Sequence, residues 1–233
     1  MSTGLSHSNH REYLQAMGID VWEQRQDRVV PVQIEVSTEP TAIQAEAPLD
    51  WASLQQAVTQ CTQCELHQSR TQTVFGVGNP NADLLIIGEA PGADEDRQGE
   101  PFVGRAGQLL NEMLKAIQLS RNDVYIANIL KCRPPDNRDP KPEEAALCSG
   151  FLKNQIELIQ PKLIMALGRI AAHRLLDTNT SLAKLRGEFH NYTSTNTPLL
   201  VTYHPAYLLR SPAEKAKAWQ DLLVARKFLS TKS

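Results

Sequence analysis

The chain carries four cysteines in 233 residues, and two of them, Cys61 and Cys64, form a CxxC. Cys132 and Cys148 follow far downstream, separated by a loop and the start of a helical pattern. All four stand among polar or turn residues, as in CTQC and KCRPP, where a thiol is better placed to ligate than to fill a core. Four thiolates suit zinc or iron-sulfur chemistry, and the spacing leaves both open, because the second pair is not the second knuckle of a zinc ribbon.

A second signal is GEAPGADEDRQGEPFVGRAGQLL, residues 88–110, in which a Gly/Pro loop follows an apolar run and a second glycine pair opens a helix. Backbone N–H groups at Gly104 to Gly107 could meet an anion there. The segment has neither the GKS/GKT of a phosphate-binding loop nor the GxGxxG of a dinucleotide site, so nucleotide chemistry recedes. NILKCRPPDNRDP and HPAYLLR complete the set, the first holding Asn128 and Cys132, the second opening on His204.

These residues need a scaffold that brings them together. Four apolar runs, ADLLIIG (82–88), VYIANIL (124–130), KLIMALG (162–168) and PLLVTY (198–203), are continuous rather than alternating, as strands covered on both faces are. Helical patterns lie between and after them: GQLLNEMLKAI, PEEAALCSGFLKNQIELI, RIAAHRLL and PAEKAKAWQDLLVARKFL, with WASLQQAVTQC leading into the first cysteine. The order predicts an α/β fold, a three-layer α/β/α sandwich around a central four-stranded parallel sheet. Ligands of such sheets sit beyond the carboxyl ends of the strands. That rule selects the GEAPG loop, Asn128 to Pro135, Gly168 with Arg169, and His204 to Arg210.

Composition sets the outer bounds. Hydrophobic residues make up 41% and charged residues 21%, ordinary values for a globular chain. No apolar run approaches the roughly 20 residues of a membrane span, the N-terminus lacks the build of a secretion signal, and a cytoplasmic location is expected. With a net charge of −2, any nucleic-acid contact must rely on a local basic face. Residues 1–25 read as a short amphipathic segment, 26–50 as a linker, and 51–233 as the main domain, expected to be monomeric.

Taken together, the CxxC, GEAPG, NILKCRPPDNRDP, the fourth cysteine and HPAYLLR closely resemble family 4 uracil-DNA glycosylases over about residues 52–229. GEAPG and HPAYLL mark the wider superfamily, and the four cysteines in this order narrow it to the iron-sulfur branches. The resemblance implies a [4Fe-4S] cluster on Cys61, Cys64, Cys132 and Cys148, and monofunctional release of uracil from DNA. It makes Phe102 the platform on which a flipped base stacks. Asn128 becomes the reader of uracil N3–H and O4, with cytosine rejected by its reversed pattern. His204 becomes the donor to uracil O2, stabilising the leaving base. Glu95 matches a position near uracil C5, where thymine's methyl would be excluded. Leu208 aligns with the wedge that fills the vacated stack, and Arg210 is expected to take a phosphate, with Lys131, Arg133, Arg138, Arg169 and Arg186 as further backbone contacts. Asn137 matches another family position, or fixes its loop.

The superfamily's best-known branch has an Asp one residue after the position of Glu89, and here that residue is Ala90, which cannot act as a base. The expectation is a dissociative, oxocarbenium-like reaction, with Glu89 and the Ala90 backbone positioning water. A related branch that traps DNA covalently carries an inserted basic loop, which this chain lacks; a cluster-bearing adaptor without turnover is the other alternative. Residues 10–22, HREYLQAMGIDVW, resemble the polymerase III psi peptide that docks on the clamp-loader chi subunit, with a short helix packed on the chain's own core as the plainer reading.

Overall fold

The structure is a computed structural model that describes residues 50–231. The expected N-terminal segment and linker lie outside the described residues, Asp50 excepted. Asp50 caps the first helix, α1 (Trp51–Thr59), by accepting from Ser53 N–H at 2.7 Å. A single turn, α2 (Leu66–Ser69), follows the CxxC.

The four expected strands form as β2 (Leu84–Gly88), β3 (Tyr125–Asn128), β4 (Leu163–Leu167) and β6 (Thr197–Thr202), all parallel. The sheet is larger than expected. Two edge strands, β1 (Val77–Gly78) and β5 (Phe189–Tyr192), pair antiparallel to β3 and β6 and extend the order to β1-β3-β2-β4-β6-β5. The apolar-run criterion could not find them: β1 has two residues, and β5 alternates exposed and half-buried positions as an edge strand does.

Side chains of the central strands alternate between two separate cores. Leu85, Ile87, Ile164 and Ala166 pack with Leu152 and Ile156 of α5 (Pro142–Ile159) and with Ala171 and Leu175 of α6 (Gly168–Leu176). Leu84, Ile86, Leu163 and Met165 pack with Leu110 and Leu114 of α4 (Arg105–Ala116) and with Ala218 and Leu222 of the last helix, Lys215–Thr231. Both faces are therefore covered, which is the three-layer sandwich, and explains why these strands carry apolar residues at every position. No helix among the described residues is long and apolar enough to cross a membrane.

Short elements ring the carboxyl ends of the parallel strands. These are α3 (Ala93–Gln98) after β2, α7 (Leu182–Leu185), and α8 (Pro205–Arg210) after β6; the last helix of the chain is α9. From β2 the chain moves to its neighbour β3 and then crosses to β4 on the other side, so the crevice that receives ligands opens at the end of β2. Glu89 is the first residue beyond that strand.

Candidate active site and four-cysteine pocket

Gly88 ends β2 at the point where the site is tightest. A methyl group built on it would collide with Asn128 Oδ1 and with the Phe102 ring, so only glycine lets these two side chains meet over the strand end. Asn128 closes the adjacent strand in register with Gly88, and the ladder continues past both through Ile129 N–H to Gly88 O at 3.0 Å and Leu130 N–H to Glu89 O at 3.1 Å. Asn128 is 2% exposed, and its Oδ1 has no hydrogen-bond partner. An unpaired buried acceptor costs about 1–3 kcal/mol, a cost that a ligand donor would remove.

Phe102 is buried and holds φ at 56°, in the left-handed region that a bulky residue normally avoids. Two side chains hold it there. Glu95 accepts from Val103 N–H at 3.0 Å, Gly104 N–H at 3.3 Å and Gly92 N–H at 3.1 Å, tying the start of α3 to the loop behind Phe102. Arg121 donates to the carbonyls of Phe102 at 3.1 Å and Pro101 at 2.8 Å. Gly107 completes the clamp, since a Cβ there would strike the Phe102 carbonyl. The Glu95 carboxylate is thus engaged with backbone N–H groups of the loop that carries Phe102, a setting its place in the sequence does not reveal. Arg121 was missed altogether, because nothing in its local sequence marks it.

The Phe102 ring faces His204, with centroids 5.4 Å apart. His204 is the N-cap of α8 and is followed by Pro205 at the first helical position, a local signal for a helix start. Its Nδ1 accepts from Ala206 N–H at 3.2 Å, which leaves the proton of the neutral ring on Nε2. Burial, and then the nearby Arg210 cation, push its pKa down to about 4, so the ring is neutral at ordinary pH. Gly168, at φ 87°, gives His204 room, for a Cβ there would lie 2.9 Å from His204 Cβ.

Glu89, Asp139, Gly168, Arg169, His204 and Arg210 line one cleft of about 390 Å³. Burial and the neighbouring Asp139 carboxylate raise Glu89 to about 7, and Arg169 opposes the rise. Ala90 is half-buried and packs against the α5 and α6 core. Arg169 pairs with Asp139 at 3.0 Å across the exposed rim.

Several expected DNA contacts are placed differently. Leu208 is 1% exposed and belongs to the core beneath α4 and α9, so it cannot serve as a wedge from this position; α8 turns its apolar face inward, and Tyr207 stands outward in its place. Lys131 is also 1% exposed, with Nζ donating to Phe75 O at 3.2 Å, Asn128 O at 3.1 Å and Gln155 Oε1 at 2.6 Å, and is no phosphate contact. Arg138 is paired with Glu144 and Arg186 with Asp221, while Arg133 donates to Asn137 Oδ1 at 2.8 Å, which gives Asn137 its loop-fixing role. Arg210 remains exposed at the cleft.

Cys61, Cys64, Cys132 and Cys148 line a single pocket with Val58, Leu147 and Phe151. None of the four is in a disulfide. Arg70 Nη1 lies 3.0 Å from Cys132 Sγ, and Lys131 N–H lies 3.4 Å from Cys148 Sγ. Burial raises the Cys132 thiol, and it pushes Cys148 up to about 11. Among the described residues, no group of three or more His, Cys, Asp or Glu closes around a single metal ion. The donor chemistry suits a thiolate-bound centre: four soft ligands, apolar walls, and cationic or N–H donors at the sulfurs.

The sequence matches the uracil DNA glycosylase superfamily over residues 75–223, and the chain belongs to that superfamily. Within it, the chain is similar to proteins named type-4 uracil-DNA glycosylase. That of Archaeoglobus fulgidus is 47% identical, covering 66% of this chain and 81% of the relative. The Thermotoga maritima protein of the same name is 43% identical over 74% and 91%, and that of Sulfurisphaera tokodaii 42% identical over 68% and 76%. The chain is a member of the type-4 group.

Proposed function

We infer that this chain is a uracil-DNA glycosylase acting in DNA repair, and that the cleft around Asn128, Phe102 and His204 is where uracil leaves. The enzyme hydrolyses the N-glycosyl bond of deoxyuridine in DNA, releasing uracil and leaving an abasic site. The observation that carries the base specificity is the unpaired, buried Oδ1 of Asn128. Uracil N3–H supplies the missing donor, and the amide N–H₂ faces O4. Cytosine would set an acceptor against Oδ1 and leave both groups unpaired.

A flipped uracil stacks on Phe102 between Asn128 and His204. His204 acts as a neutral donor through Nε2, toward the O2 on which negative charge grows as the bond breaks, and a well-aimed donor of this kind contributes about 3 kcal/mol. Glu89 and the Ala90 backbone hold the attacking water and face the cationic sugar. Glu95 acts by positioning the Phe102 loop. Among the described residues lining the cleft there is no lysine, in keeping with hydrolysis and no Schiff-base strand cleavage.

Cys61, Cys64, Cys132 and Cys148 would hold a [4Fe-4S] cluster. Bound there, the cluster supplies a covalent tie between the end of α1, the loop after β3, and α5. Uracil-containing DNA is the substrate, cytoplasm or nucleoid the location, and a monomer the working form. Docking of residues 10–22 on the clamp-loader chi subunit is retained on the sequence resemblance alone, and co-purification of that subunit with the full chain but not with a chain lacking residues 1–30 is the expected result.

Uracil release from a labelled oligonucleotide is the direct test, with Asn128→Asp as the discriminating variant. Loss of one or two buried hydrogen bonds, at about 1.5–3 kcal/mol each for charge-affected pairs, predicts a fall of about a hundredfold or more in the preference for uracil over cytosine. Unchanged preference would remove Asn128 from the pocket. The pH profile tests Glu89. Its pKa is raised to about 7, so the carboxylate that faces the sugar forms only as pH rises through that value. kcat/KM is expected to climb through about pH 7 and to lose that limb in Glu89→Gln, while a flat wild-type profile there would exclude the role. Protein purified without oxygen should show the broad visible absorbance of an iron-sulfur centre. Cys148→Ser should lose both the absorbance and several degrees of Tm, whereas a colourless, metal-loaded wild type would indicate zinc.

A further inference from the structure

Three planar groups form a column that ends in the cleft. The Arg186 guanidinium lies over the Tyr203 ring, 5.2 Å from its centroid, and is fixed from behind by Asp221 at 2.8 Å. Tyr203 in turn faces Tyr207, with centroids 5.2 Å apart and planes tilted by 31°. Tyr203 is 9% exposed and Tyr207 37% exposed, so the column is buried at its root and open at its end. Tyr207 lines the same cleft as His204, one turn along α8, and Arg210 follows three residues later on the same side of that helix. Leu208, the next residue, is committed to the core, and Leu209 is half-buried.

An exposed aromatic ring on a rigid, cation-backed stack beside a cleft suits a planar partner, and a strand with one nucleotide turned out offers one. The base next to the extruded uracil loses its stacking neighbour and needs a new surface. Base-on-aromatic stacking tolerates any sequence, because every base has a π face. Arg210, beside the ring, carries the charge complementary to the phosphate of the same nucleotide.

We propose that Tyr207 is the stacking platform for the nucleobase adjacent to the flipped uracil, so that the Arg186–Tyr203–Tyr207 column extends into the DNA strand. The proposal rests on the uracil-excision reading and adds a second base-binding position to it.

Single-stranded oligonucleotides with one uracil are compared with the same strands in which the 5′ or the 3′ neighbour is an abasic tetrahydrofuran spacer. For the full-length wild type, one of the two spacers is expected to lower kcat/KM by about tenfold, the scale of one base-aromatic stack. Tyr207→Ala should lose about as much on the intact strand and nothing further on that spacer strand, and Tyr207→Phe, which keeps the ring, should restore the dependence. Leu208→Ala, which opens a cavity in the core, is expected to lower Tm and to keep the dependence on the flanking base. Equal spacer sensitivity in wild type and Tyr207→Ala would overturn the proposal, as would a wild type indifferent to both spacers. If the wild type released no uracil even from the intact strand, the excision reading itself would fail, a result distinct from either of these.

Discussion

A single buried ammonium group joins the parts of this molecule that must act together. Lys131 is almost wholly enclosed, and its Nζ meets three acceptors, from the segment before β1, from the end of β3, and from α5. Burial pulls its pKa down to about 8 while Cys148 opposes the fall, and its acceptors cannot relax away without leaving the amine unpaired. The carbonyl it holds at β3 belongs to Asn128, and its own backbone N–H points at Cys148. Gln155 closes the knot by also donating to Phe75 O at 3.0 Å. Through its side chain and its backbone N–H, one residue thus touches both Asn128 and Cys148. Removing the amine would leave several buried acceptors unpaired, which is more costly than never having built the knot.

That rigidity is spent at the site itself, where two local rules are broken. Phe102 adopts a backbone conformation that costs of order 1–3 kcal/mol, and Asn128 carries an acceptor with no donor. Both departures lie within a few ångströms of Gly88, and both are resisted from outside, by Glu95 and Arg121 in one case and by Lys131 in the other. A platform held before substrate arrives needs no ordering when the base enters. The strain and the unpaired oxygen are therefore coherent under the proposed function: each is a cost in the free protein that a bound uracil would remove or exploit.

The parallel sheet and the position of the cleft were legible because they follow from continuous apolar runs and from a rule about strand ends. The catalytic groups were legible only as motif positions, and their settings were not. Glu95 is the clearest case. In sequence it is one acid among Asp94, Glu95 and Asp96 at a helix start, and only the fold shows that its oxygens reach across eight and nine residues to Val103 and Gly104. The burial of Leu208 was illegible for a different reason. The resemblance set the wedge position four residues after His204, but whether that position faces solvent depends on how a six-residue helix is rotated against α4, and a pattern this short does not fix the rotation. Lys131 read as a DNA-backbone contact because long cationic side chains are usually exposed, and the acceptors that enclose its amine come from distant segments; Arg121 carried no signal at all.

The electrostatics of the cleft bear on how a glycosylase works with alanine where a water-activating aspartate stands in other branches. Glu89 and His204 line the same cleft, and burial moves both toward their neutral forms: Glu89 upward to about 7, His204 downward to about 4. A neutral imidazole donates one directed proton to the departing base without placing a full positive charge beside the sugar, where positive charge must also develop. Glu89, held near the middle of its titration by Asp139 against Arg169, is a weaker electrostatic anchor than a fully ionised carboxylate, yet it is the one acidic side chain at the end of β2. The distribution favours a reaction in which bond breaking runs ahead of water attack. A strong base is needed when the nucleophile must push, and it is dispensable when the leaving group is stabilised enough to depart first. Under the proposed function Ala90 is tolerated because leaving-group stabilisation by His204 replaces water activation, and α8 presents that ring with the proton of its neutral form on Nε2.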